Sequence, residues 1–321
     1  MTRVAAIDCG TNSLRLLVAD VPPVGPAVDL LRRMEVVRLG QGVDATGRLA
    51  PEAIERTRIV LAEYAEQAWE LGVAELRMVA TSATRDAANR ADFEAMVLAT
   101  LGRKADVVSG LEEAELSYLG ATASLDLAAA AHGSPPPQPP FLVVDIGGGS
   151  TEFVLGDAAG VRAASSVDIG CVRLTERHLR SDPPTATEIA GAEADIRAAL
   201  VDVRASVPVA DAASLIGLAG SVTTVAALAL QLPAYDAAAI HGSRITASDV
   251  RAVTADLLAA PRARRAAMPV MHPGRVDVIG AGALILRVLM EEFGMADVVV
   301  SEHDILDGIA LRLARSDVSE H

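Results

Sequence analysis

Two aspartates, Asp8 and Asp145, each close an apolar run and are each followed by a glycine and small polar residues, "IDCGTNS" and "VDIGGGST". Backbone amides in such a turn can converge on an anion, because no side chain on the glycine side blocks the approach. Carboxylates at the ends of strands commonly bind Mg²⁺, directly or through water. The candidate phosphate-binding residues are therefore Gly10, Thr11, Asn12 and Ser13 in the first turn, and Gly147, Gly148, Gly149, Ser150 and Thr151 in the second. Asp8 and Asp145 are candidate metal ligands. Glu152, directly after the second turn, is a candidate to bind metal or to position a water. Taken singly, either turn is equally well explained as a hairpin closed by an Asx-type bond.

The duplication favours the chemical reading. "AAIDCGTNSLRLLVAD" (5–20) aligns without a gap on "LVVDIGGGSTEFVLGD" (142–157), with an offset of 137 (145 − 8 = 137). Each copy reads as strand, Asp, Gly-rich turn, strand, so the chain consists of two related halves. Neither turn opens a helix in the manner of GxGxxG, which disfavours a dinucleotide dehydrogenase.

Three other places carry candidate chemistry. In "SGLEEAEL", Ser109 and Glu112 have capping-box spacing, which gives Glu112 a structural task and leaves Glu113 about 100° further round the helix. Close to the positive end of the helix dipole, Glu113 stays ionised and can orient and deprotonate a water. "GLAGSVTTVAAL" reads as strand, turn and helix, with Gly220 and Ser221 at the helix start as a second anion or nucleotide site. Arginines recur near turns, among them Arg85, Arg173 and Arg275, and can hold a polyanion.

The elements that must position these residues follow from periodicity. Three strands open the chain, the third within "VDLLRRMEVVRLG". A helix over about 51–71 follows, then strand "ELRMVAT", a helix over "TRDAANRADFEAMVLATLG", a short strand near Val107 and a helix over "SGLEEAELSYLGATASL". "HGSPPPQPP" (132–140) cannot be regular structure and reads as an exposed loop. The second half repeats the hairpin and continues as alternating strands and helices, ending in a helix over about 303–315. This alternation predicts an α/β protein, and the repeat divides it into two lobes, 1–125 and 126–302.

Bulk composition narrows the classes. The 321 residues are 51% hydrophobic but only 2% aromatic, so the core is built from Ala, Val, Leu and Ile, and base-stacking platforms are not expected. A formal charge of −14 argues against nucleic acid or anionic membrane as partner. Cys9 and Cys171 show no metal or redox spacing, and the N-terminus runs straight into a strand. A cytoplasmic protein is expected.

As a set, "AAIDCGTNSLRLLVAD", "ATSATRDAANRADF", "SGLEEAELSYLG", "VVDIGGGSTEFVLG", "IGCVRLTE", "GLAGSVTTVAAL" and "RVDVIGAGALIL" resemble the exopolyphosphatase and guanosine pentaphosphate phosphohydrolase family over essentially the whole chain. The resemblance implies the actin, hexokinase and Hsp70 type of fold, ribonuclease H-like lobes around a central cleft, with the last helix packed on the first lobe. It implies Mg²⁺-dependent attack of water (Mn²⁺ as substitute) on a terminal phosphoanhydride of inorganic polyphosphate, or of guanosine pentaphosphate, the stringent-response nucleotide. A nucleotide-binding sensor without catalysis is the reading from another class. By motif position Glu113 matches the family's base, Asp145, Gly147 and Glu152 its phosphate and metal site, Asn12 and Ser13 its first phosphate loop, and Arg85 a substrate-contacting arginine. Longer members carry a further helical domain, so grip on a long polymer is expected from the lobes or from a homodimer partner. Ala219 and Ser221 stand where the family often has Gly or Thr.

Overall fold

The computed structural model describes residues 1–23 and 25–316. The chain divides into two compact units, one formed by Met1–Ala123 with the segment from Asp304 onward, the other by Ser124–His303. The Pro-rich stretch 132–140 is irregular and mostly exposed and lies inside the second unit, leading into its first strand.

The first unit is built on five strands, β1 (Thr2–Cys9), β2 (Leu14–Val21), β3 (Val28–Glu35), β4 (Glu75–Ala80) and β5 (Asp106–Val107), in the order β3-β2-β1-β4-β5. β1 is antiparallel to β2 and parallel to β4. Alternation along β1 sends Ala5, Ile7 and Cys9 into a core with Leu61 and Tyr64 of the helix Pro51–Glu70, and Val4 and Ala6 into a core on the opposite face. That opposite face is covered by the helices Gly110–Thr122 and Ile305–Ser316, whose Leu116 and Ile309 share its core. These two helices meet through glycines: a Cβ on Gly120 would lie 1.8 Å from the Asp304 carbonyl oxygen, and one on Gly308 1.9 Å from that of Leu116. Backbone can approach backbone so closely only where the side chain is absent.

The second unit holds six strands, β6 (Phe141–Ile146), β7 (Thr151–Asp157), β8 (Gly160–Val167), β9 (Ser214–Leu218), β10 (Arg244–Thr246) and β11 (Asp297–Val300), in the order β10-β11-β9-β6-β7-β8. Its first three strands and the parallel fourth, β9, repeat the arrangement of β1 to β4. The register repeats as well: Cys9 pairs with Leu14 as Ile146 pairs with Thr151. This shared third-second-first-fourth order is the ribonuclease H-like topology of actin, hexokinase and Hsp70 lobes. Helices Ala186–Ser206, Ala219–Ala229, Ala247–Ala259 and Ile279–Phe293 enclose a core of Leu, Ile, Val and Ala, with Phe153 the one fully buried aromatic in it.

Two local expectations are corrected. The helix expected over "TRDAANRADFEAMVLATLG" is two helices, Ser82–Asp86 and Arg90–Leu101. Between them the Ala88 amide donates to Gly47 O at 2.9 Å, and the Asn89 carboxamide brackets the backbone of Leu49, accepting from its N–H at 2.8 Å and donating to its carbonyl at 3.1 Å. Tertiary bonds thus take the groups that a continuous helix would have used. Similarly, the helix begun by "SGLEEAEL" stops at Thr122 and a second runs from Leu125 to Ala131.

Candidate active site

Each Gly-rich turn is closed by the same bond, Gly10 N–H to Ser13 O at 3.0 Å and Gly147 N–H to Ser150 O at 3.1 Å. In each, the next three amides, those of Thr11, Asn12 and Ser13 and those of Gly148, Gly149 and Ser150, make no hydrogen bond among the described residues. The carbonyls, by contrast, are held. Thr11 O accepts from Gly40 N–H and Asn12 O from Arg38 N–H, both at 2.8 Å. In the second turn Gly147 O accepts from Cys171 N–H at 3.0 Å, Gly148 O from Val172 and Arg173 N–H at 2.9 and 3.1 Å, and Gly149 O from Arg173 Nε at 2.7 Å. With carbonyls tied back and these amides making no hydrogen bond among the described residues, each turn has the backbone arrangement that can take an anion. Gly170 makes this possible in the second turn, since a Cβ there would stand 2.4 Å from Gly148 O. Thr151, buried at the end of that turn, donates its hydroxyl to Ile169 O at 2.7 Å.

The carboxylates behind the turns differ. In the first unit Asp8 is directly opposite Arg15 across the β1–β2 ladder, and Arg15 donates to its Oδ2 through Nε at 2.9 Å and Nη2 at 2.6 Å. Arg15 Nη1 bonds Asp304, so one guanidinium serves two buried carboxylates. Burial pushes the Asp8 carboxyl above its ordinary value while Arg15 pulls it down. At Asp304 burial acts in the same sense, yet the charges of Arg15 and Arg32 and the Leu306 amide outweigh it and hold the carboxyl below the usual range. Asp8 is thereby held in an ion pair through Oδ2, a partner that its reading as a metal ligand did not include.

In the second unit Asp145 is directly opposite Glu152 across β6–β7, and both are buried. Glu152 is only 1% exposed, and its Oε1 accepts from the Ser166 hydroxyl at 2.8 Å. Among the described residues no cluster of three or more His, Cys, Asp or Glu side chains is arranged around a metal. Two neighbouring carboxylates are nevertheless the donor set Mg²⁺ uses when waters and substrate phosphate oxygens complete its octahedron, so Asp145 and Glu152 fit that ion.

Glu113 sits in the first turn of the helix Gly110–Thr122. It is 8% exposed, and its Oε2 accepts from Arg85 Nη1 at 3.1 Å, a nitrogen that also donates to Val108 O at 3.0 Å. Arg85 therefore fixes Glu113 and the strand before it, a role its assignment as a substrate contact did not include. The capping box is half formed: Ser109 accepts from the Glu112 N–H at 3.2 Å, but the Glu112 carboxylate turns to Arg77 at 2.9 Å. A charged partner outcompetes the neutral amide that the box would have offered.

Gly220 and Ser221 begin the helix Ala219–Ala229, as expected. A Cβ on Gly220 would fall 2.2 Å from Arg275 Nη2, so the Arg275 guanidinium lies on this helix start, held by a 3.1 Å bond to Thr224 Oγ1. The sequence had flagged Arg275 only as one of several arginines, and its neighbour 55 positions earlier in the chain could not be read from spacing. Ala219 adopts φ 66°, a left-handed conformation unusual for alanine.

Comparison with known proteins decides the family. A model of the Ppx/GppA phosphatase family matches residues 17–317. The chain belongs to the Ppx/GppA phosphatase family. It is a phosphohydrolase of that family, with the whole length in common: it is 52% identical to exopolyphosphatase 2 of Mycobacterium tuberculosis over 98% of this chain and 99% of that one. Among solved structures, an exopolyphosphatase-like protein superposes with a TM-score of 0.92 at 40% identity, covering 98% of this chain and 99% of the other. The Ppx/GppA enzyme of Aquifex aeolicus gives 0.78 at 32% identity, with 97% and 99% covered. No helix among the described residues is long and apolar enough to cross a membrane.

Proposed function

We propose that this Ppx/GppA member is an exopolyphosphatase, hydrolysing the terminal phosphoanhydride of inorganic polyphosphate to release orthophosphate. The observation that supports this reading most directly is the triple-glycine turn, its carbonyls tied back and three amides unpartnered among the described residues, beside the paired carboxylates Asp145 and Glu152. A nest of amides neutralises phosphate oxygens without demanding any organic group on the substrate, which suits a ligand made of phosphate alone. The whole-length relative from M. tuberculosis carries the same activity in its name.

In this reading the amides of Gly148, Gly149 and Ser150 bind and orient the terminal phosphate, and those of Thr11, Asn12 and Ser13 hold further phosphate oxygens. Asp145 and Glu152 would hold Mg²⁺, which would supply charge neutralisation on phosphate oxygens when bound. Glu113 takes the proton of the attacking water at Oε1 or Oε2, with Arg85 fixing its rotamer so that little reorganisation is needed. The new P–O bond forms as the bond to the bridging oxygen breaks, and the shortened polyphosphate leaves with that electron pair. Guanosine pentaphosphate, which offers the same terminal anhydride, is the competing substrate.

The test is phosphate release by purified protein with Mg²⁺ on polyphosphate and on guanosine pentaphosphate, with Glu113→Gln as the blank. Loss of a general base typically costs about 10²–10⁴-fold in kcat. Release from polyphosphate that disappears in the variant supports the assignment; faster release from guanosine pentaphosphate replaces the substrate, and an active variant removes Glu113 as base.

A further inference from the structure

Across the second sheet, four directly paired residues form a row on one face: Leu218 on β9, Asp145 on β6, Glu152 on β7 and Ser166 on β8. Two carboxylates side by side in such a row repel. The row ends in a hydroxyl, and that hydroxyl donates to Glu152 Oε1 at 2.8 Å. We infer that Ser166 is a positioning residue that holds the Glu152 carboxylate in the one orientation from which it serves the phosphohydrolase centre.

Glu152 has a rotatable chain of three dihedrals, and a buried site allows it only rotamers in which its oxygens find donors. The Ser166 hydroxyl satisfies Oε1 from the β8 side. Ser166 opens a stretch that manages the whole turn. Ile169 O takes the Thr151 hydroxyl, Gly170 allows close approach to Gly148, and Cys171, Val172 and Arg173 hold the carbonyls of Gly147 and Gly148. Within this stretch Ser166 reaches the Glu152 carboxylate. It also lines a cavity of about 420 Å³ with Asp168, Arg177, Asp195 and Asp202. Threonine at this position keeps the hydroxyl donor and is the conservative variant.

The inference rests on the proposed role of Glu152, and the experiment separates the two. Ser166→Ala, Ser166→Thr and Glu152→Gln are compared in polyphosphate hydrolysis at saturating Mg²⁺ and, without substrate, in Mn²⁺ binding followed by electron paramagnetic resonance. Removal of a group that orients a metal-binding carboxylate typically costs about 10–100-fold in metal affinity or activity. Ser166→Ala is expected to lower kcat and weaken Mn²⁺ binding by about 10-fold with KM within about threefold of wild type, and Ser166→Thr to restore both. Wild-type kcat and Mn²⁺ affinity in Ser166→Ala, with Glu152→Gln inactive, overturns the inference and leaves the function standing. An equal loss in alanine and threonine variants also overturns it, by assigning the loss to packing. An active Glu152→Gln with normal Mn²⁺ binding overturns the role of Glu152, and the inference with it.

Discussion

The two hairpins share register, turn closure and unpartnered amides, yet their cross-strand rows have opposite electrostatics. In the first unit the row is Val79, Asp8, Arg15, Met34; in the second it is Leu218, Asp145, Glu152, Ser166. The repeat maps Arg15 onto Glu152, so one exchange of charge separates a self-neutralised pair from a pair of carboxylates. A buried Asp–Arg pair is a structural link with no appetite for a cation. A buried Asp–Glu pair is a donor set that a divalent cation can use. The two turns thus keep one backbone arrangement, while a single ladder position separates an Asp–Arg pair from an Asp–Glu pair.

Forcing the second row toward neutrality has the largest expected effect. Glu152→Gln keeps size and removes charge; if the carboxylate is a metal ligand, Mg²⁺-dependent phosphate release falls by about 10²-fold or more. Titration of activity with Mg²⁺ checks this, and a variant at wild-type rate under all Mg²⁺ concentrations breaks the contrast between the units. The converse change, Arg15→Met, leaves Asp8 and Asp304 buried without their shared cation. Breaking a buried pair by removing one partner costs about 3–5 kcal/mol, read in urea unfolding as a lower midpoint. Asp8→Asn added to Arg15→Met recovers part of that loss if the cost is uncompensated charge, and none of it if the cost is lost packing.

Much of this contrast is written in the sequence. The constant offset anticipates the repeated register, and the glycines and small polar residues anticipate the two closed turns. The exchange of Arg15 for Glu152 is visible in the same alignment, although attention to aspartate and glycine passes over it. What local patterns cannot supply are partners far along the chain. Arg15 meets Asp304 across 289 positions, and no spacing rule connects them. Glu112 forsakes its capping box for Arg77, 35 positions earlier, and Asn89 breaks a helix to hold Leu49, 40 positions earlier. In each case a tertiary bond of similar or greater strength displaces the local one, which is the general way propensity is overruled.

The glycines that crowd the two turns sharpen the comparison at intermediate scale. A Cβ at Gly170 meets the backbone of Gly148 and Gly149 at 2.4 to 2.6 Å, whereas one at Gly40 meets the Thr11 Cγ2 methyl at 2.3 Å. Backbone cannot yield, and a side chain can rotate. Gly170→Ala is expected to displace the triple-glycine turn and cost about 1–3 kcal/mol of stability, as overpacking does, with a fall in kcat. Gly40→Ala is expected to cost less on both counts. Equal losses in thermal unfolding and in phosphate release would show that the two turns are held equally tightly after all.

The smallest effect is expected at Ala219, before the third Gly element. Its φ of 66° places the Cβ close to the following carbonyl, a strain of about 1–2 kcal/mol for an L-residue that glycine does not share. Glycine also enlarges the conformational freedom of the unfolded chain, which returns about 0.4–1 kcal/mol of that gain. Ala219→Gly should therefore raise stability by about 1 kcal/mol or less, seen as a small increase in the urea midpoint with an unchanged slope. Its effect on activity tests the comparison independently. If phosphate binding rests on the hairpin turns alone, KM for polyphosphate stays at the wild-type value, because only the backbone strain at the start of the helix Ala219–Ala229 has been relieved. A shift in KM would give this helix start, with the Arg275 guanidinium lying on Gly220, a share in holding the substrate beside the two nests.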